Sequence, residues 1–216
     1  LGRMSYHEAY DRQRELWSRR VAGEIPDQLL LLEHPPVITL GRGAKQEHLL
    51  ATMECLRSQG VEVCEADRGG DVTYHGPGQL VGYPILNLQP DRMDVIRYLR
   101  DLEEVIIQTV GTLGISGERR AGRTGVWVED RKIAAIGVKI SRWVTYHGFA
   151  LNVSTDLSAF DLIIPCGLHG ARVTSIQQEL GWAPPLEEIA AVAAEELNHL
   201  FDHHAHPEMT LEINRA

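Results

Sequence analysis

Apolar positions recur with two different periods along this chain, and the changes of period divide it into elements. Residues 5–22 place Tyr6, Ala9, Tyr10, Leu16 and Trp17 among many charges, with Ser5 as a cap and Gly23 as a stop, which predicts an amphipathic helix. Residues 28–33 and 37–40 are short apolar runs that read as strands parted by His34-Pro35-Pro36. A helix near 50–58 and a short strand at 61–64 follow. The next strand pair is expected over 71–74 and 79–86, with Gly76-Pro77-Gly78 as the turn between them. Residues 92–112 form a second long helical pattern. Beyond Gly117, strands at 125–128, 132–140 and 144–153 make a meander, with a tight turn at Glu129-Asp130. The last third holds an irregular stretch over 154–172, a short helix near 173–180 and an Ala- and Glu-rich helix near 185–201. The simplest arrangement is α+β (α/β in the broad sense), with helices packed on a mainly antiparallel or mixed sheet. No repeat, low-complexity linker or internal boundary interrupts it, so a single domain over 1–216 is expected.

Composition changes this picture little. The chain is 44% apolar and 24% charged, which is ordinary for a globular protein. The uncharged stretches fall short of the roughly 18 residues of a membrane span, and the opening residues lack the charged-then-apolar order of a signal peptide, so a cytoplasmic protein is expected. A formal charge of −9 argues against nucleic acid as the general partner. The three cysteines lack framework spacing and read as free thiols. Positive charge is carried almost wholly by arginine, and Lys45, Lys132 and Lys139 are the only lysines. A retained lysine draws attention because, unlike arginine, it can give up its proton when buried.

Three segments could carry chemistry. The densest runs from Arg68 to Gln79 (RGGDVTYHGPGQ). Its glycines let the backbone approach a ligand closely, and Arg68, Thr73 and His75 supply polar groups. No Gly-Lys-Ser/Thr follows, so it is not a phosphate loop of the Walker type. A glycine-rich hairpin turn is the structural alternative. In the second segment Cys166 sits between Pro165 and Gly167 in a loop, where a thiol can meet a substrate. Cys55 and Cys64 fall inside periodic elements and read as packing residues. A zinc site built on Cys166, His169 or the Asp202-His203-His204-Ala205-His206 tail is disfavoured, because no CxxC pair exists and the spacings match no zinc motif; the tail reads as a solvated extension. The third segment, residues 132–139 (KIAAIGVK), is an apolar strand with a lysine near each end. Positions 132 and 139 differ by seven, so strict alternation puts the two lysines on opposite faces, with one of them facing a site.

Together with YHGFALNV at 146–153 and PCGLHGARVTS at 165–175, these segments resemble the lipoyl(octanoyl) transferase family over most of the chain. The resemblance implies a catalytic domain like that of biotin and lipoate ligases. The implied activity takes octanoyl from an acyl carrier protein and places it on a lysine of lipoyl domains, such as those of 2-oxoacid dehydrogenase complexes and the glycine cleavage protein. It also implies Cys166 as the acyl-accepting nucleophile, and Lys132 rather than Lys139 as the residue that lowers its pKa and moves protons. Arg68, Gly69, Gly70, Asp71, Val72, Thr73, Tyr74 and His75 are then expected to line the acyl pocket, with Ala135, Ile136 and Gly137 and with Gly148, Phe149 and Ala150. No cofactor, metal, nucleic acid or membrane is implied, and His169 receives no role. Peptide N–H groups near Gly76–Gly78 or at Gly167 are candidates for an oxyanion hole. An ATP-dependent ligase of the same fold, which would not need Cys166, and a non-catalytic carrier-binding module are the alternatives. Because both implied partners are acidic, a local positive field is expected, with Arg119, Arg120 and Arg123 as candidates together with Arg42 and Arg142.

Overall fold

The structure is a computed structural model and describes residues 2–164, 172–202 and 210–212. Helix α1 (Tyr6–Val21) begins with a capping box: the Ser5 hydroxyl accepts from Glu8 N–H and the Glu8 carboxylate accepts from Ser5 N–H. Strands β1 (Gln28–Leu32) and β2 (Val37–Leu40) follow. After a 3-10 turn over Gln46–His48 come α2 (Met53–Ser58), β3 (Glu62–Glu65), β4 (Val72–His75), β5 (Gln79–Ile85) and α3 (Val95–Gly111). The second half contains β6 (Glu118–Arg120), β7 (Arg123–Val128), β8 (Arg131–Ser141), β9 (Val144–Asn152), β10 (Arg172–Val173), α4 (Ile176–Leu180), α5 (Leu186–Asp202) and β11 (Thr210–Glu212). A second 3-10 segment spans Leu157–Leu162.

The large sheet runs β11-β1-β5-β9-β8-β7-β6, with β10 added beside β8. Its pairs are antiparallel except β1 with β11 and β10 with β8. Both faces are covered, which explains why every residue of β1 is buried. Leu29 and Leu31 face a core shared with α3 and α5, whereas Leu30 and Leu32 face α1. A smaller sheet, β3-β2-β4, packs its own apolar cluster against α2 and the 3-10 segment. The α+β expectation therefore holds.

Local expectations needed correction in several places. β4 and β5 do not form a hairpin: β4 pairs with β2 in the small sheet and β5 with β1 and β9 in the large one. Gly76–Gly78 instead hands the chain from one sheet to the other. Gly78 takes φ +78°, and a Cβ there would meet the Ser154 backbone at 2.7 Å. β11 (Thr210–Glu212) adds an edge strand beside β1 that the sequence pattern did not announce, whereas His203, His204 and His206 of the expected tail lie outside the described residues. No helix among the described residues is long and apolar enough to cross a membrane.

Candidate functional site

Two glycine-rich passages meet over the face of the large sheet that α1 also covers. Gly69 N–H donates to Val138 O at 2.9 Å, which lays the Arg68–Asp71 segment across β8. At that crossing Gly137 has no side chain to obstruct it; a Cβ there would lie 2.9 Å from Gly69 O. The next strand offers Gly148, where a Cβ would meet Gly82 O of β5 at 2.2 Å. The result is a narrow cleft of about 40 Å³ between the Arg68–His75 passage and the centre of the sheet.

Most of the predicted pocket residues line this one cleft. From the first passage they are Arg68, Gly70, Asp71, Val72, Thr73 and His75; from β8, Ala135, Ile136 and Gly137; from β9, Gly148, Phe149 and Ala150. Gly69 and Tyr74 are the exceptions. Gly69 is engaged through its backbone with β8, and Tyr74 points into the core of the small sheet against Phe160. Sequence reasoning missed Tyr6, Tyr83 and His147, which complete the wall from α1, β5 and β9. A signal existed for His147, a histidine inside an otherwise apolar strand, but Tyr6 and Tyr83 read simply as amphipathic-helix and strand positions.

The cleft floor is polar yet largely uncharged. His75 donates from Nδ1 to Gln79 Oε1 at 2.8 Å, and burial, reinforced by nearby His34 and Arg68, pulls its pKa down to about 3. His34 donates from Nδ1 to Met4 O and accepts from the Tyr83 hydroxyl, both at 2.7 Å, and burial lowers it too. The phenols of Tyr6 and Tyr83 are pushed above their ordinary values by the same desolvation. Arg68 is buried among these groups, and its guanidinium donates to Thr39 O at 2.8 Å and to Thr39 Oγ1 at 2.7 Å. At the α1 side, His147 donates from Nε2 to Asp67 at 2.7 Å, and burial lowers its pKa against the opposing pull of that carboxylate. That hydrogen bond, with a second from the Tyr146 hydroxyl, holds the Asp67 carboxyl far below the usual range. Asp71, in turn, accepts from His48 Nδ1 at 2.6 Å.

A smaller cavity of about 10 Å³ continues the cleft, sharing Thr73, Ala135 and Ala150 with it and adding Lys132, Asn152 and Phe160. Lys132 is buried, at 7% exposure. The alternation argument for the two lysines fails here for a specific reason. β7 and β8 pair Val126 with Ala134 but Trp127 with Lys132, so Ile133 is an extra residue on β8, a β-bulge. Ile133 and Ala134 consequently both enter the core beneath α3 and α5, and the parity of the strand resets. Lys132 therefore shares the cleft face with Ala135 and Gly137. Lys139 lies on that face as well, opposite Tyr146, close enough for its charge to act on Asp67.

Cys166 and His169 lie outside the described residues. The described chain enters that stretch at Ile164, whose N–H donates to His48 O at 2.8 Å, and leaves it at Arg172–Val173, paired with Arg131–Lys132. Cys64 is buried, with its thiol pushed up to about 11 by desolvation, which suits the packing role expected of it. Of the oxyanion-hole candidates, Gly78 N–H is already committed to Glu33 Oε2 at 2.9 Å. The expected basic cluster is also largely engaged: Arg119 pairs with Glu103 and Glu104, and Arg120 with Glu118, whereas Arg42 and Arg142 are exposed.

Comparison with known proteins places this geometry. Residues 5–198 match the family model described as lipoyl protein ligase A/B catalytic domain. An octanoyltransferase of Acidobacterium capsulatum is 50% identical over 94% of this chain and 89% of its own length. One from Rubrobacter xylanophilus is 57% identical over 86% of this chain and 84% of its own. Among solved structures, a lipoate-protein ligase A bound with ATP matches 94% of this chain and 85% of its own with a TM-score of 0.74 at 14% identity. A biotin protein ligase from Aquifex aeolicus, in complex with biotin and ATP, matches 77% of this chain and 70% of its own, with a TM-score of 0.52 at 15% identity. These two likenesses concern the fold.

Proposed function

Because this chain belongs to the lipoyl protein ligase A/B catalytic domain family and, within it, to the octanoyltransferases, we propose that it moves an octanoyl group from acyl carrier protein to a lysine of lipoyl domains. The acceptors are the lipoyl domains of 2-oxoacid dehydrogenase complexes and of the glycine cleavage protein, and the setting is the cytoplasm. Residues 1–216 act as one catalytic domain. The observation that carries the reading is the position of Lys132, a buried lysine at the end of the cleft, beside the strand on which the Cys166 segment returns.

The Cys166 thiolate, stabilised by the Lys132 ammonium, attacks the thioester carbonyl of the carrier's pantetheine arm. The tetrahedral adduct collapses, expelling the pantetheine thiolate, which takes a proton from Lys132. The octanoyl group then sits on Cys166 as a thioester, with its chain along the cleft walls formed by the predicted residues of the Arg68–His75, Ala135–Gly137 and Gly148–Ala150 segments. Next the neutral amine of the acceptor lysine attacks. Cys166 departs as thiolate, and the amine proton returns to Lys132. Exchange between two thioesters keeps the acyl group activated throughout, so neither ATP nor a metal is required.

The test uses apo lipoyl domain with octanoyl-carrier and no nucleotide. Amide formation is expected, with loss of at least about 10³-fold in Cys166→Ser, the scale on which removal of a nucleophile acts. Transfer from free octanoate that depends on ATP and survives Cys166→Ser would establish the ligase chemistry instead. No transfer under either condition would leave a carrier-binding module.

A further inference from the structure

Lys132 does not stand alone at the end of the cleft. It is directly opposite Trp127 across the β7–β8 pair, and the bulge at Ile133 puts both side chains on the cleft face while Val126 and Val128 enter the helical core. The Lys132 Nζ lies over the indole, 5.1 Å from the ring centroid. Trp127 is fully buried, and a ring attracts a cation most strongly away from bulk water. One alternation earlier on the same strand, Gly125 leaves the space that the lysine stem occupies. A Cβ there would lie 3.2 Å from Lys132 Cε and 3.4 Å from Nζ. The Gly125 N–H is fixed from behind by the buried Glu103 carboxylate at 3.1 Å. The lysine is thus bounded by a strand without a side chain and by an aromatic face.

We propose that Trp127 is a positioning residue for Lys132, its indole face holding that side chain as an ammonium where the acyl group changes hands. The inference rests on the reading of Lys132 as the partner of Cys166. The negative face of the ring attracts the cationic head of the lysine and fixes its place, and a cation so placed is what stabilises a thiolate. Other charged and titratable groups surround this position: Arg120 and Arg123 near the same ring, Glu103 on α3, Glu179 paired with Arg131, Arg172 paired with Asp130, and His75 behind Gln79. A change confined to the electrons of the ring acts only on the three cations that face it, Lys132, Arg120 and Arg123, and the Lys132→Ala background separates the lysine from the two arginines.

Fluorinated tryptophans installed at position 127 supply that change, since each fluorine weakens the negative face of the ring with little change in its shape. The readout is the pH dependence of Cys166 alkylation by iodoacetamide in the full chain. Its midpoint is expected to rise stepwise from mono- to trifluoro-tryptophan, by about 0.5 to 1 pH unit in total. Lys132→Ala is expected to raise it as well, and fluorination in that background to add nothing. If Lys132→Ala shifts the midpoint but fluorination does not, the ring inference fails and the reading of Lys132 stands. If Lys132→Ala leaves the midpoint unchanged, that reading fails and the inference with it. An equal fluorination shift in both backgrounds would show the ring acting through the fold, which also overturns the inference.

Discussion

His75 is held neutral at the cleft floor by burial, with a pKa of about 3 against 6.5 for an ordinary histidine. The unfolded chain binds the extra proton between those values, so this contribution to stability is complete above about pH 6.5 and is lost as pH falls toward 3. The slope is at most about 1.4 kcal/mol per pH unit for one group. His34 and His147, lowered by the same cause, act in the same direction. Urea unfolding followed from pH 7.5 down to pH 5 is therefore expected to show falling stability, and His75→Asn to reduce the slope; an unchanged slope in the variant would contradict the neutral assignment. At this scale the sequence told part of the story. The glycines and His75 announced the passage that lines the cleft. The tyrosines that close the cleft did not, because a tyrosine on an amphipathic helix looks the same whether it meets core or cavity.

The strands and helices were legible because the apolar runs were clear and bounded by Gly, Pro and Asn. β6 was not, since Glu118–Arg120 is a charged edge strand with no apolar residue to reveal it. Nor does a Gly-Pro-Gly turn say whether the strands on either side pair with each other or with different sheets. The bulge at Ile133 mattered most, because one extra residue reversed an argument from alternation that was sound for an unbroken strand. Lys132 and Lys139 share a face, but about seven residues of strand, roughly 20 Å, separate them. At 0.1 M salt that is about two screening lengths. Lys139→Ala is accordingly expected to leave the pH profile of Cys166 alkylation unaltered, through distance rather than facing. A shift comparable to that of Lys132→Ala would show that the two lysines act on one site.

For the molecule as a whole, a charge of −9 must be reconciled with proposed partners that are themselves acidic. Arg119 is a poor steering residue, because it shares with Arg100 the neutralisation of the fully buried Glu103; Arg119→Ser is expected to destabilise the fold by only about 1 kcal/mol, since Arg100 still faces that carboxylate. Arg42 is better placed. It is exposed, and its backbone N–H donates to Arg68 O at 3.0 Å, at the rim of the cleft. Arg42→Ser is expected to lower the second-order rate with octanoyl-carrier several-fold and to flatten its salt dependence, while leaving the rate with a small pantetheine thioester unchanged. Equal losses with both donors would assign Arg42 to the cleft itself. Where the acyl group rests between donor and acceptor decides between a covalent transferase and the alternatives. Intact-mass analysis of the protein mixed with octanoyl-carrier, without lipoyl domain, followed by peptide mapping, tests this directly. One added octanoyl group, on Cys166, is expected; an unmodified protein that still transfers, or an adduct on Cys55 or Cys64, would contradict the role of Cys166.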